Sequence, residues 1–308
     1  MLAAKALLAA FVVAAGAISA AAQVSYVPLE FRTVEGIRPF VPVSLNGTPF
    51  VFMVHGNASF YVMTTHANAA KAGVTDTRHD ADFGIDAPGH VSSAGLTKAT
   101  LRSLKVGELE VHDVPFSLFE VPVEGMDGML GIGWLRGNSV IVDYDGLRLG
   151  FAKSPEEGRR EDARLVREGF TAHAMTWDPD LKRYLVWVEV NGKRARMVVS
   201  TVSSDIVDTR FASAAGVALG PVVYVDAGPK GARVNNWLSK KPLRIAIDGQ
   251  KSAWMQPTVQ DTYAYSSAEP PVDETKRIGG YLGCDFMLAN EAVIDFGTGT
   301  LLLRPPAE

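Results

Sequence analysis

Residues 41–74 read VPVSLNGTPFVFMVHGNASFYVMTTHANAAKAGV, and residues 185–217 answer with LVWVEVNGKRARMVVSTVSSDIVDTRFASAAGV. In each, alternating apolar residues run into an Asn-Gly pair, Asn46-Gly47 and Asn191-Gly192, 145 positions apart. Both residues of such a pair accept positive φ, so Asn-Gly between alternating runs predicts a two-residue β-hairpin. The return strands end in short polar loops. A capping residue, Thr65 or Asp208, then opens a short helix that Gly73 or Gly216 closes within matching Ala-Gly-Val triplets.

A second pair of segments follows in the same order. Residues 128–135 read GMLGIGWL and residues 280–287 read GYLGCDFM. Each leads into an apolar strand ending in an acid, Asp143 or Asp295, and these Leu-Gly and Asp positions are offset by 152. Ordered matches at nearly constant offset mark an internal duplication. The expected organisation is a lobe over residues 23–156 and a second over 157–308, joined by the charged, solvated stretch 153–167. Residues 82–96 and 224–234 are Gly-rich and lie between the repeated blocks of their own halves. They predict two hairpins that cover a cleft, with Gly89, His90, Gly228 and Gly231 as candidate flap residues. The fold class is mainly β, with a few short helices.

Composition narrows the function. The 308 residues include 30 basic and 34 acidic side chains, a formal charge of −4, which excludes binding to nucleic acid through phosphate contacts. One cysteine excludes an internal disulfide framework. The six histidines show no H-x-x-x-H or H-E-x-x-H spacing, so neither a metal nor another cofactor is expected. Residues 1–22 carry Lys5, an apolar run and a small-residue end. They predict a cleaved signal peptide of bacterial style, cut after Ala22, and a periplasmic or secreted monomer with no membrane span after cleavage.

These paired motifs resemble the retropepsin/pepsin-like aspartic protease family, in particular the bacterial retropepsin-like aspartyl proteases. The resemblance implies a two-lobed acid-protease fold in which each lobe runs hairpin, catalytic loop, short helix, flap, apolar-apolar-Gly element and final strand. It assigns Leu130-Gly131 and Leu282-Gly283 to the apolar-apolar-Gly elements. In the family, one aspartate per lobe shares a proton with its partner and activates a water. The loops here read Val54-His55-Gly56-Asn57-Ala58 and Val199-Ser200-Thr201-Val202-Ser203. His55 and Ser200 therefore stand at the catalytic positions, and Thr201 alone keeps the hydroxyl that buttresses the two loops. Gly56, Asn57 and Val202 complete the degenerate loops. The resemblance thus implies a pseudoprotease that binds an extended peptide or protein segment between its lobes.

Two alternatives stand beside that reading. One is an active aspartyl-type endopeptidase using other acids, with Asp143 and Asp295 as suspects; the equivalent places of these acids in both halves point to structural roles instead. The other is a hydrolase with Ser200 as nucleophile and His55 as base. Asp205 is expected to order the turn before its helix, His66 to be solvated, and Cys284 to be a buried free thiol.

Overall fold

The computed structural model describes residues 24–33, 36–87, 90–121, 125–202, 204–228 and 232–306. The expected leader and the flap glycines Gly89 and Gly231 lie outside them. Both predicted hairpins form. Strands Ile37–Leu45 and Thr48–His55 meet at Asn46 (φ 49°) and Gly47 (φ 88°), and strands Arg183–Val190 and Lys193–Val199 meet at Asn191 (φ 49°) and Gly192 (φ 76°). Positive φ at both turn residues matches the right-handed twist of the flanking strands. The turn asparagines do more than tolerate the geometry. Asn46 Nδ2 donates to the Ala72 carbonyl at 2.9 Å and Asn191 Nδ2 to that of Ala215 at 3.0 Å, each at the end of the helix that follows in its half.

The described residues hold six α-helices: α1 (His66–Lys71), α2 (Ile132–Gly137), α3 (Pro155–Arg167), α4 (Thr209–Ala214), α5 (Thr262–Ser266) and α6 (Cys284–Ala289). Thr65 caps α1 and Asp208 caps α4, their side chains accepting from the Asn68 and Arg210 amides. Gly73 (φ 70°) and Gly216 (φ 66°) follow those helices in the left-handed conformation.

In the first half, strand Gly128–Gly131 lies parallel to Thr48–His55 and antiparallel to Val62–Thr64. Strand Ile278–Leu282 repeats this in the second half, parallel to Lys193–Val199 and antiparallel to Ile206–Asp208. The apolar-apolar-Gly element thus passes between the two limbs of the loop it follows. Its glycine is required by space, since a Cβ on Gly131 would lie 2.1 Å from the Phe60 carbonyl oxygen.

A six-stranded sheet joins the lobes. Its order is Ser25–Pro28, Arg148–Phe151, Val140–Asp143, Val293–Asp295, Thr300–Leu303, Thr171–Ala174, three strands from each half in mirrored sequence. The central contact is antiparallel, with Val142 opposite Ile294. Ile141, Val142, Ile294, Leu301 and Leu302 are fully buried, which makes this sheet part of the molecule's core rather than a surface between two domains.

The connecting stretch departs from expectation. Residues 155–167 are not a solvated link but helix α3, thirteen residues long, with Ser154 capping the Glu157 amide and Pro155 in the first turn. Its buried face carries Gly158, Glu161 and Leu165, and Leu165 packs with Ile141, Val293 and Leu302 of the joining sheet. Sequence reading missed this because most of the helix is charged, yet several of its acids turn inward and are held there: Glu157 accepts from the Lys153 amide, Glu161 pairs with Arg164, and Asp162 accepts from the Thr298 hydroxyl.

Candidate functional site

The two loops expected at the catalytic centre are brought together by Thr201. The Gly56 amide donates to Thr201 Oγ1 at 2.7 Å, and that hydroxyl donates to the Val54 carbonyl at 2.5 Å. Tyr144, from the joining sheet, donates its hydroxyl to the Thr201 carbonyl at 3.2 Å. One fully buried hydroxyl therefore satisfies a donor and an acceptor of the opposite lobe. The reciprocal bridge is missing, because its position is Gly56. A Cβ there would lie 2.9 Å from the Phe296 ring and 3.0 Å from Thr201 Cγ2, so Phe296 fills the space a second hydroxyl would need. Val202 packs into an apolar cluster otherwise made of first-lobe residues, among them Phe40, Met53 and Met129. Neither Asn57 nor Val202 adopts positive φ, so both loops run without the glycine conformation.

His55 closes strand Thr48–His55 and is half-buried. Its Nδ1 and the Oδ1 of Asn57 are both buried and make no hydrogen bond among the described residues. The ring packs edge-on against Phe60 at 6.2 Å between centroids. Burial, with the positive charges of Arg38 and Arg183, pushes the imidazole down to about 3, so it is neutral over the ordinary pH range. Ser200 is fully buried and its Oγ accepts from the Val202 amide at 3.3 Å. Arg38 and Arg183 went unnoticed in the sequence reading, although they share the 145-residue offset of His55 and Ser200.

The nearby acids have other duties. Asp205 Oδ1 accepts from the Gly283 amide at 2.8 Å and the Phe286 amide at 3.2 Å. It therefore ties its loop to the apolar-apolar-Gly element and the start of α6, not to the turn before α4 as expected. Burial pushes its carboxyl up to about 7, with Asp285 adding to the rise. Asp143 accepts from the Gly146 amide and from Arg148 Nε, both at 2.7 Å. Asp295 accepts from the Gly297 amide at 2.7 Å and the Thr298 amide at 2.9 Å. These two acids hold equivalent turns of the joining sheet, as their duplication suggests. Cys284 is a buried free thiol.

Both Gly-rich segments lie in hairpins, as expected. In the first, strand Thr77–Ala81 pairs with Leu96–Val106, and Ile85–Ala87 pairs with His90–Val91 near the tip, where His90 is exposed. The second pairs Leu219–Ala227 with Arg233–Ser239. Gly228 is not free at its tip: it is buried, and a Cβ there would meet the Tyr265 carbonyl at 1.8 Å, so it is seated against α5. His66 is only half-exposed and is tied at both ring nitrogens. Its Nδ1 lies 3.2 Å from Glu120 Oε1 and its Nε2 lies 3.1 Å from Thr97 Oγ1, which links α1 to strand Leu96–Val106 and to the segment after Leu109–Leu118. Among the described residues no three His, Cys, Asp or Glu side chains gather to hold a metal, and no helix is long and apolar enough to cross a membrane.

Comparison with known proteins agrees with this architecture. Residues 41–134 match the aspartyl protease family model. The aspartic proteinase from Irpex lacteus is 11% identical, with a TM-score of 0.50 over 92% of this chain and 98% of that one. A retropepsin-like aspartic protease from Rickettsia conorii is 20% identical over 42% of this chain and 92% of its own, with a TM-score of 0.33. Conglutin gamma, a basic 7S globulin from lupine seeds, is 10% identical over 92% of this chain and 95% of its own, with a TM-score of 0.41. No curated protein sequence matches the chain. The first lobe thus resembles the aspartyl proteases in sequence over residues 41–134, and the whole chain shares the fold of a two-lobed aspartic proteinase.

Proposed function

We propose that the protein is an exported, catalytically degenerate member of this group, a pseudoprotease that holds an extended peptide segment in the cleft between its lobes. The Thr201 bridge carries the reading, because it brings His55 and Ser200 to the centre in place of a carboxyl pair. Peptide hydrolysis on this scaffold needs two acids close enough to share one proton, one to deprotonate a water and the other to protonate the carbonyl oxygen. A neutral imidazole and a buried hydroxyl supply no such pair. Asp205 cannot stand in while it accepts two backbone amides, and Asp143 and Asp295 are bound to turns of the joining sheet. The cleft walls and the paired flaps can still offer backbone groups to an extended chain by strand addition. Export rests on the leader-like residues 1–22 and is tested by fractionating cells that express the full chain: recovery of an uncleaved cytoplasmic product refutes it.

Digestion of denatured casein at acid pH, with and without pepstatin, tests the loss of catalysis. No cleavage is expected. Pepstatin-sensitive cleavage by the purified protein would instead establish an active aspartyl-type endopeptidase. The Ser200/His55 hydrolase is disfavoured by the complete burial of Ser200, and a serine-reactive phosphonate is expected to leave it unlabelled.

A further inference from the structure

The joining sheet treats its two equivalent aspartates differently. Asp143 and Asp295 are 152 residues apart, and so are Gly146 and Thr298, and Arg148 and Thr300. In the first half Asp143 turns one carboxylate oxygen to the Gly146 amide and the other to Arg148 Nε, which neutralises it. In the second half Asp295 Oδ1 repeats the turn, accepting from the Gly297 and Thr298 amides. Its Oδ2 has no equivalent arginine, because threonine stands at that position. Asp295 is fully buried, and this oxygen makes no hydrogen bond among the described residues.

Helix α3 brings a second acid to the same place. Gly158 lies against Asp295 Oδ2, where a Cβ would come within 2.7 Å, and Asp162 is one helical turn further along that face. Thr298 joins the two acids: its amide donates to Asp295 Oδ1 and its hydroxyl to Asp162 Oδ2, both at 2.9 Å. Asp162 Oδ1, like Asp295 Oδ2, is buried without a hydrogen-bond partner among the described residues. The other charged groups around the helix are engaged elsewhere. Glu161 is held by Arg164 and the Tyr26 hydroxyl, Glu157 by the Lys153 amide, and Arg148 by Asp143. His173, on the neighbouring strand Thr171–Ala174, turns its ring nitrogens to Asp248 and Gln250, and Arg304 reaches the Glu168 carbonyl beyond the end of α3. Burial, with the charge of Asp295, pushes the Asp162 carboxyl up to about 6, and burial raises that of Asp295 as well.

We propose that Asp162 and Asp295 form a proton-operated latch between helix α3 and the joining sheet: one proton held by the pair takes the place of the first half's arginine, and its loss lets the helix lift from the sheet. Helix α3 runs from strand Arg148–Phe151 of one half to strand Thr171–Ala174 of the other, so the latch governs the connection between the lobes. The pair holds its proton more tightly with α3 docked than with α3 open. Docking is therefore strongest in acid and weakens as pH rises from about 4 to about 6. The Asp143–Arg148 pair has no such dependence in that range, since its partner is a guanidinium that stays charged. The latch is independent of whether the cleft binds peptide.

Hydrogen–deuterium exchange of the purified protein, read by mass spectrometry and corrected for the intrinsic pH dependence of amide exchange, tests it. Protection of residues 155–167 should fall about tenfold from about pH 5 to about pH 7.5, beyond any change in hairpin 183–199 of the same sample. Asp162→Asn places an amide donor beside Asp295 at every pH, so its α3 should stay protected at the higher pH. Asp295→Asn makes the same test from the sheet side, and circular dichroism shows which variants are folded. Equal wild-type protection at the two pH values overturns the latch, as does a loss of protection that persists in a folded variant. Magnesium or calcium restoring wild-type protection at the higher pH overturns it too, because a metal and not a proton would then hold the acids.

Discussion

Thr201 is the residue on which the centre depends, since one hydroxyl bonds the opposite lobe twice. Thr201→Val keeps the shape and strands a buried amide and a buried carbonyl, at a cost of about 2–4 kcal/mol in a urea titration. Thr201→Ser should recover most of that loss. Asp205 and His55 make opposite contributions to pH dependence. The Asp205 carboxyl is raised to about 7 in the folded state, above its unfolded value. Its stabilising contribution is therefore complete at low pH and is lost as pH rises from about 4 to 7. The His55 imidazole is lowered to about 3, so its neutral form is favoured by folding and stability is lost as pH falls from about 6.5 towards 3. Urea midpoints from pH 4 to 7 should thus climb more steeply with pH in Asp205→Asn, where the opposing slope is gone, and less steeply in His55→Gln.

Among elements, the hairpins were legible because Asn-Gly specifies positive φ at two successive residues, a local demand that needs no knowledge of the fold. Helix α3 was not, because its reason for being helical lies in what it covers. Gly158 shows the point. Alanine would raise helix propensity, yet its Cβ would come within 2.7 Å of Asp295 Oδ2. Gly158→Ala is therefore expected to lower stability, by about 1–3 kcal/mol as overpacking commonly costs, with the thermal midpoint as the check. If the variant is more stable than the wild type, the close approach of α3 to the joining sheet is wrong. The turn asparagines give a parallel test: Asn191→Gly keeps the turn but loses the bond to the Ala215 carbonyl, a deficit of about 1 kcal/mol.

For the whole molecule, the joining sheet makes one structure of two lobes. Ile294 is fully buried at its centre, opposite Val142 of the other half. Ile294→Ala should cost about 2–5 kcal/mol, and calorimetry should show the loss on a transition that includes both lobes. Two resolved transitions, with only the second-lobe one displaced, would mean that the sheet does not couple the halves. The same sheet occupies Asp143 and Asp295 with turn bonds and brings Tyr144 against the Thr201 carbonyl, so the joint also anchors the Thr201 loop.

The sequence by itself determined the duplication, the order of elements within each half, and the two equivalent loops that carry His55 and Ser200. Those are properties of spacing and of local φ preference, which a single chain states directly. Only the tertiary structure decided that Asp205 serves two amides of a distant segment, that Phe296 excludes a second bridging hydroxyl, and that Arg38 and Arg183 flank the centre. Each of these is a contact between segments far apart in the chain, and the energy of burying a charge or filling a space is defined only once those segments meet.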